Sequence, residues 1–230
     1  MTTANINVIE AAQFPFQDQD WIKKIAIAGV LVIVPILGWV ALAGYVVRVI
    51  RGVLQGSQQL PEFDDFGGDF SRGVMLFVGG LLYSIPTIFL SFINGIFDNF
   101  VLSCIISLMS FTYSIAITPI LYTAYARYAM TEDFNAFLDF GGLINTVTTH
   151  TSEAAILVLN VLALGLIGGV IISIGLIACC LPGFAAIGAF AIIGAVLTAQ
   201  WAIAVGISGG STPPRTPQNQ PPQGPIEPLG

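Results

Sequence analysis

Acidic residues and arginines are concentrated in and beside two short polar stretches that separate long apolar runs. The acids are Glu62, Asp64, Asp65, Asp69, Glu132, Asp133, Asp139 and Glu153, and the arginines are Arg48, Arg51, Arg72 and Arg127. The four carboxylates of Asp64, Asp65, Asp69 and Asp139 could supply the oxygen ligands that a divalent cation prefers. Their spacing matches no calcium-loop pattern, and carboxylates at a membrane surface also cap helices and pair with arginines. We therefore predict no bound metal, and these aspartates are the candidates if one binds.

The same two stretches repeat a hexapeptide. Residues 63–68 read Phe-Asp-Asp-Phe-Gly-Gly and residues 137–142 read Phe-Leu-Asp-Phe-Gly-Gly. Because phenylalanines recur there every three or four residues, the pattern predicts short amphipathic helices in the headgroup layer, with each glycine pair ending a helix and turning the chain. The predicted interaction surface consists of Phe63, Phe66, Phe137, Phe140, Arg48 and Arg127.

Hydroxyl side chains recur at helical spacing between the two stretches. They are Ser103, Ser107, Ser110, Ser114 and Thr118, separated by four, three, four and four residues. One helix face could thus line a path for a polar solute. Close helix packing explains the same pattern, since small residues are favoured at membrane helix interfaces and hydroxyls can bond neighbouring carbonyls. We prefer the packing interpretation.

Catalytic and cofactor signatures do not emerge from the sequence. His150 is the only histidine, the three cysteines have no metal-ligand spacing, and we find no nucleotide-binding loop. We predict no cofactor and no enzyme activity. The near absence of ionisable residues inside the apolar runs also argues against an ion-coupled pump.

The composition identifies the elements that position these residues. The chain is 55% hydrophobic and 9% charged, with a mean hydropathy of +0.86, whereas soluble domains are roughly 25% charged. The sequence predicts an all-α membrane protein with about five transmembrane helices, at 22–50, 73–94, 99–128, 153–180 and 183–207. Residues 1–20 form a polar N-terminal segment, 21–208 the polytopic membrane domain, and 209–230 a disordered proline-rich tail.

The first span is ambiguous because Pro35 and Gly38 interrupt it. We expect one kinked crossing, with a re-entrant hairpin as the alternative. A single crossing puts Lys23 and Lys24 on one side of the membrane and the arginines on the other. The positive-inside rule then predicts a cytoplasmic C-terminus, with the N-terminus outside and the protein in the cytoplasmic membrane.

A duplication organises the membrane domain. In each copy a proline-bearing helix ends in Tyr and Arg, at Tyr45 and Arg48 or at Tyr125 and Arg127, before the Phe/Asp/Gly connection and a returning helix. The copies cover about 22–94 and 99–180, and the helix at 183–207 is additional. They are predicted to be parallel helix-elbow-helix repeats.

The order of these features resembles a known family. An aromatic and acidic segment precedes Trp21, Gly-Tyr-x-x-Arg follows at 44–48, Leu-Pro-Glu-Phe-Asp-Asp-Phe at 60–66, and a Gly/Leu-rich hairpin closes near Gln200. Residues 14–205 are similar to the prokaryotic membrane proteins catalogued as domain-of-unknown-function family 4013. Phe66 stands where that family is expected to have Trp. The resemblance implies a multi-span envelope protein and no reaction.

The predicted function is a non-enzymatic scaffold or accessory subunit. A permease for a small neutral or apolar solute is the alternative, using the serine face. The expected partners are the lipid bilayer, a membrane or cytoplasmic protein, and further copies of the chain. Nucleic acid is not expected, because the net charge is −6 with only seven lysines and arginines.

Overall fold

The computed structural model describes residues 6–97, 99–178 and 180–207, and these contain only helices as regular structure. The α-helices are α1 Val8–Gln13, α2 Trp21–Ile33, α3 Leu37–Leu54, α4 Phe66–Ile96, α5 Phe100–Thr131, α6 Phe140–Thr149, α7 Thr151–Ala178 and α8 Cys180–Ala204. Two short 3-10 helices cover Phe14–Gln17 and Phe134–Phe137. Five helices, α3, α4, α5, α7 and α8, are long and apolar enough to cross a membrane. The all-α membrane fold is confirmed, and the predicted tail at 209–230 lies outside the described residues.

The predicted first span divides into two helices, α2 and α3. Val34 precedes Pro35 and is extended, as expected of a residue whose helical conformation the proline ring disfavours. Ile36 then adopts a left-handed φ of 66°, which is unusual for a branched residue. A Cβ atom at Gly38 would overlap the carbonyl oxygen of Leu31, so only glycine permits this close return of the chain. The single kinked helix was therefore wrong, because the chain reverses between two helices. Re-entry into the membrane stays a prediction, since α3 is long and apolar enough to cross.

The hairpin returns α3 to the end of the bundle where α2 began. Lys24, in the first turn of α2, contacts the Glu62 carboxylate at 2.8 Å and donates to the Leu60 carbonyl at 2.8 Å, both beyond the end of α3. With 13 residues, α2 rises about 20 Å, less than the roughly 30 Å of a hydrocarbon core. Lys23 and Lys24 thus lie at the same end of the bundle as Arg48, and their predicted placement opposite the arginines was wrong.

Two further antiparallel hairpins complete the bundle. The Tyr113 hydroxyl of α5 donates to the Tyr83 carbonyl of α4 at 2.8 Å, and the Tyr128 hydroxyl donates to the Arg72 carbonyl at 3.2 Å. In the α7/α8 pair, Gly175 approaches the Gly183 backbone closely. Helix α8 is central, and its fully buried side chains include Ile192, Leu197 and Trp201.

The described part of the N-terminal segment is packed against the bundle. The Asn7 N–H donates to the Gln200 side chain at 3.0 Å, and the Val8 N–H donates to the Asn160 side chain at 2.8 Å. The Asn160 amide returns a 3.2 Å bond to the Ile6 carbonyl. The two amides of α7 and α8 therefore hold the start of α1, whose backbone N–H groups need partners outside the helix.

Candidate functional site

Two groups of ion pairs join the polar ends of α2, α3, α4 and α5, and a hydrogen bond from Arg48 Nη2 to the Glu62 carbonyl at 2.8 Å connects them. We call the combined set the charged network. Its members are Asp18, Lys24, Arg48, Arg51, Glu62, Asp64, Asp65, Asp69, Arg72 and Glu132. At its centre, the Asp69 side chain is 2% exposed and pairs with Arg48 Nη2 at 2.6 Å and Arg72 Nη1 at 2.9 Å. Arg48 Nε also donates to Asp69 Oδ1 at 2.7 Å, which makes this pair bidentate. The buried carboxylate thus fixes α3 against α4.

The network continues through exposed acids. Arg48 reaches Asp64 at 2.8 Å, and Arg72 reaches Asp65 at 2.8 Å. Glu132, just beyond α5, accepts from Arg51 at 2.7 Å and from Arg72 at 3.1 Å. Hydrogen bonds from these arginines hold the pKa of each of the three carboxyls below its usual value. The acids therefore stay charged and connect the first polar stretch to the end of α5.

The pairing of Glu132 predicts acid sensitivity. The pKa of Glu132 in the folded protein lies below the usual 4.5. The ion pairs of Glu132 therefore stabilise the fold at pH values above its pKa in the unfolded chain, and this stabilisation is lost as the pH falls through the folded pKa. We expect Glu132→Gln to lower the melting temperature in detergent at pH 6. By pH 3, the variant and the wild type should have the same melting temperature. A gap that persists at pH 3 contradicts the ion-pair explanation.

The four candidate metal ligands are not brought together. Asp64, Asp65 and Asp69 each bind an arginine of the network, whereas Asp139 pairs with Arg127 at 2.8 Å. Within the described ranges, no group of three or more His, Cys, Asp or Glu side chains is arranged to hold a metal ion. The sequence-based metal hypothesis therefore has no geometric support.

The repeated hexapeptide is a helix start in both copies. The Gly68 N–H donates to Asp65 Oδ1 at 3.0 Å at the start of α4, and the Gly142 N–H donates to Asp139 Oδ1 at 3.0 Å at the start of α6. Aspartate is a favoured N-cap because its carboxylate satisfies a free N–H group. The glycine pairs therefore begin helices, and the prediction that they end helices was wrong. The duplication as a whole stays a prediction.

The second glycine of each pair is the one that the cap requires. A Cβ atom at Gly68 would overlap the Asp65 carboxylate, whereas Gly67 has no neighbour within 4 Å of an added Cβ. We expect Gly68→Ala to displace the cap and lower the free energy of unfolding by about 1 kcal/mol or more. Gly67→Ala is the matched control and should be neutral or slightly stabilising. Denaturation of both variants in mixed micelles tests this, and equal losses would refute it.

The structure divides the predicted interaction surface. Phe137 is fully buried against the rings of Tyr125 and Tyr128, at centroid distances of 6.0 and 5.4 Å, so its assignment to a surface was wrong. Phe63 is half-buried and stacks on Tyr45 at 3.9 Å. Phe66 and Phe140 are 50% and 46% exposed.

Both arginines of that surface are engaged inside the chain. Arg48 belongs to the charged network, and Arg127 donates to Asp139 and to the Thr146 hydroxyl at 2.8 and 2.9 Å. Neither guanidinium is therefore a free group for a partner.

The expected interfacial helices form only in the second connection. There, a 3-10 helix and α6 lie between α5 and α7. The first connection, 55–65, has no helix, and Phe66 and Phe70 instead lie in the first two turns of α4. Phe66 is 6.3 Å from Phe63 between ring centroids, and Phe70 is 38% exposed. We call Phe63, Phe66 and Phe70 the aromatic patch.

The hydroxyl face of α5 bonds to its own helix. Ser114 donates to the Ser110 carbonyl and Thr118 to the Ser114 carbonyl, at 2.8 and 2.7 Å. Ser107 and Ser114 are exposed on the helix surface, while Ser103 is half-buried. Two cavities of about 330 and 370 Å³ lie beside the first and second connections and are lined by other residues. The solute path stays a prediction.

These features define a polytopic α-helical membrane protein whose polar connections are fixed by ion pairs and helix caps. The chain belongs to the family described as "Protein of unknown function (DUF4013)", whose family model matches residues 27–181. That match includes both hexapeptides and most of the charged network, which agrees with the resemblance noted in the sequence. No curated protein and no solved structure matches the chain.

Proposed function

We propose that this chain is a non-enzymatic scaffold or accessory subunit of the cytoplasmic membrane and that its charged network faces the cytoplasm. Six of its seven lysines and arginines are in the described part. Four of these belong to the network, namely Lys24, Arg48, Arg51 and Arg72, and Lys23 adjoins it. Arg51 also donates to the Ala129 carbonyl, two residues beyond Arg127. The positive-inside rule favours a cytoplasmic location for such an end.

The same reasoning applies to both ends of the described chain. Ile207 lines the cavity beside Arg127 and Asp139, and Asn7 is bonded to Gln200 near the end of α8. We therefore also propose that the N-terminal segment and the C-terminal end of α8 lie on the cytoplasmic side.

The aromatic patch is the observation that supports the scaffold role. Phe66 and Phe70 are exposed on successive turns of α4, beside the exposed carboxylates of Asp64 and Asp65. Arginine pairs immobilise both acids, so the patch is presented on a fixed backbone. Exposed aromatic groups on a rigid frame suit an interaction surface, because little conformational entropy is lost on binding. The acidic rim favours a protein partner that presents lysine or arginine side chains.

Site-specific photo-crosslinking in native membranes tests this role. A photoreactive phenylalanine analogue replaces Phe66 in one variant and Phe111 in the control. Phe111 is 55% exposed on the apolar part of α5, far along the helix from its polar end. The proposal predicts a protein adduct of one defined mass from position 66, reduced when Asp64 and Asp65 are both replaced by Asn. The Phe111 variant should yield lipid adducts only.

Two outcomes would overturn the scaffold role. Lipid adducts alone from position 66 would make the patch a headgroup anchor. Equal protein adducts from positions 66 and 111 would show non-specific crowding in the membrane.

A further inference from the structure

We propose that the cavity between α2 and the first connection binds the headgroup of a zwitterionic phospholipid with a primary ammonium, as in phosphatidylethanolamine. The cavity has a volume of about 330 Å³. Its lining residues are Lys23, Lys24, Ile27, Glu62, Phe63 and Asp64. It therefore brings cationic, anionic and apolar side chains to one place at the polar end of the bundle.

Lys23 is the cation available for a phosphate. The neighbouring Lys24 side chain is 4% exposed and is already held by Asp18 at 2.9 Å and Glu62 at 2.8 Å. Lys23, in contrast, is exposed, and it makes no ion pair with the residues that the structure describes. The ammonium group of Lys23 can bind the phosphate of a lipid headgroup as a point charge at the membrane surface.

Glu62 and Asp64 offer acceptors for an ammonium group. Their side chains are 56% and 71% exposed. Each uses one carboxylate oxygen for a cation of the chain, Glu62 Oε1 for Lys24 and Asp64 Oδ1 for Arg48. Within the described part of the chain, no other side chain donates to the second oxygen of either carboxylate. Two such oxygens at one cavity can accept from a single primary ammonium, which has three donors.

The charge balance favours a zwitterion over an anion. The two lysines and two acids that line the cavity sum to zero. An anionic headgroup can pair its phosphate with Lys23 but brings no cation for Glu62 and Asp64, and its negative charge is repelled by these carboxylates. A zwitterionic headgroup places its phosphate near Lys23 and its ammonium near Glu62 and Asp64. Both charges of the ligand are then matched.

The apolar wall of the cavity identifies the ligand as a lipid. Ile27 lies on α2, and Val30, one turn further along that helix, is 59% exposed, so acyl chains can lie along this helix. Trp21 at the start of α2 is a residue type enriched at headgroup depth. A water-soluble headgroup compound would leave this apolar surface uncovered.

Native mass spectrometry of the purified full chain in detergent, with defined lipids added in equal amounts, tests the proposal. We expect phosphatidylethanolamine to be retained about five-fold more than phosphatidylglycerol. Lys23→Gln should reduce retention of phosphatidylethanolamine about five-fold, and Asp64→Asn should remove its advantage over phosphatidylglycerol. Asp133→Asn, an exposed acid beside the other cavity, is the control and should retain the wild-type preference.

Several results would overturn the proposal. Preferential retention of phosphatidylglycerol would assign an anion site, and equal retention of phosphatidylcholine would remove the role of a primary ammonium. Displacement of the lipid by glycerophosphoethanolamine at the same concentration would assign the cavity to free headgroup compounds. Unchanged retention of phosphatidylethanolamine in Lys23→Gln would also refute the proposal. Because Lys23 is exposed and unpaired among the described residues, this variant should keep the wild-type melting temperature.

Discussion

Replacing Asp69 by asparagine is expected to lower the free energy of unfolding by about 3–5 kcal/mol, since one partner of a buried ion pair is removed. The Asp69 carboxylate is 2% exposed, and the side chains of Arg48 and Arg72 are only 16% and 20% exposed. Neutralising the carboxylate leaves two guanidinium groups that water reaches poorly. Unfolding titrations in mixed micelles, followed by tryptophan fluorescence, measure the loss.

Asp64→Asn is the matched control for this experiment. Asp64 pairs with the same Arg48, at 2.8 Å, but its side chain is 71% exposed. Exposed pairs contribute about 1 kcal/mol at most because water and salt screen them. Losses of similar size in the two variants would contradict the central role of Asp69 in the charged network.

Much of the fold follows from the lengths of the apolar runs. The predicted spans 99–128 and 183–207 correspond to α5 at Phe100–Thr131 and α8 at Cys180–Ala204. A dehydrated backbone must bond to itself, so an uncharged run of this length has few alternatives to a helix. The family resemblance rests on the same arrangement of apolar runs and acidic connections and is likewise confirmed.

The reversal between α2 and α3 could not be read from composition, because a kinked crossing and a hairpin need the same apolar residues. The contacts that distinguish them join distant parts of the chain. Lys24 pairs with Glu62 and donates to the Leu60 carbonyl, both beyond the end of α3. The sequence did contain one signal for the reversal. Lys24 lies close to the start of the predicted span, and a lysine there is stabilised when it lies at the end of the bundle that carries the acids.

The site was predictable in position but not in detail. Phenylalanine periodicity located the aromatic residues, yet it could not tell that Phe137 points into the core while Phe140 stays exposed. The helix caps carried a clearer signal. An aspartate directly before an apolar run is an N-terminus signature, and Asp65 and Asp139 both occupy that position.

Gly73→Ala is expected to lower the free energy of unfolding by about 3 kcal/mol or more, because it separates α3 from α4. A Cβ atom at Gly73 would overlap the Val40 carbonyl oxygen, and one at Gly44 would overlap the Asp69 carbonyl oxygen. Overpacking typically costs 1–3 kcal/mol when side chains can adjust, and here the opposing atoms are backbone. The helices must therefore move apart, which also draws Asp69 away from Arg48.

Gly165→Ala is the control for this variant, since no atom lies within 4 Å of an added Cβ at that position of α7. Alanine is favoured over glycine in a helix by about 1 kcal/mol, so this variant should be neutral or stabilised in the same unfolding titration. Equal losses at both positions would contradict the close helix contact. The double variant Gly73→Ala and Asp69→Asn should lose less than the sum of the single losses, because residues that share one contact are not additive. Full additivity would mean that the glycine contact and the ion pair act independently.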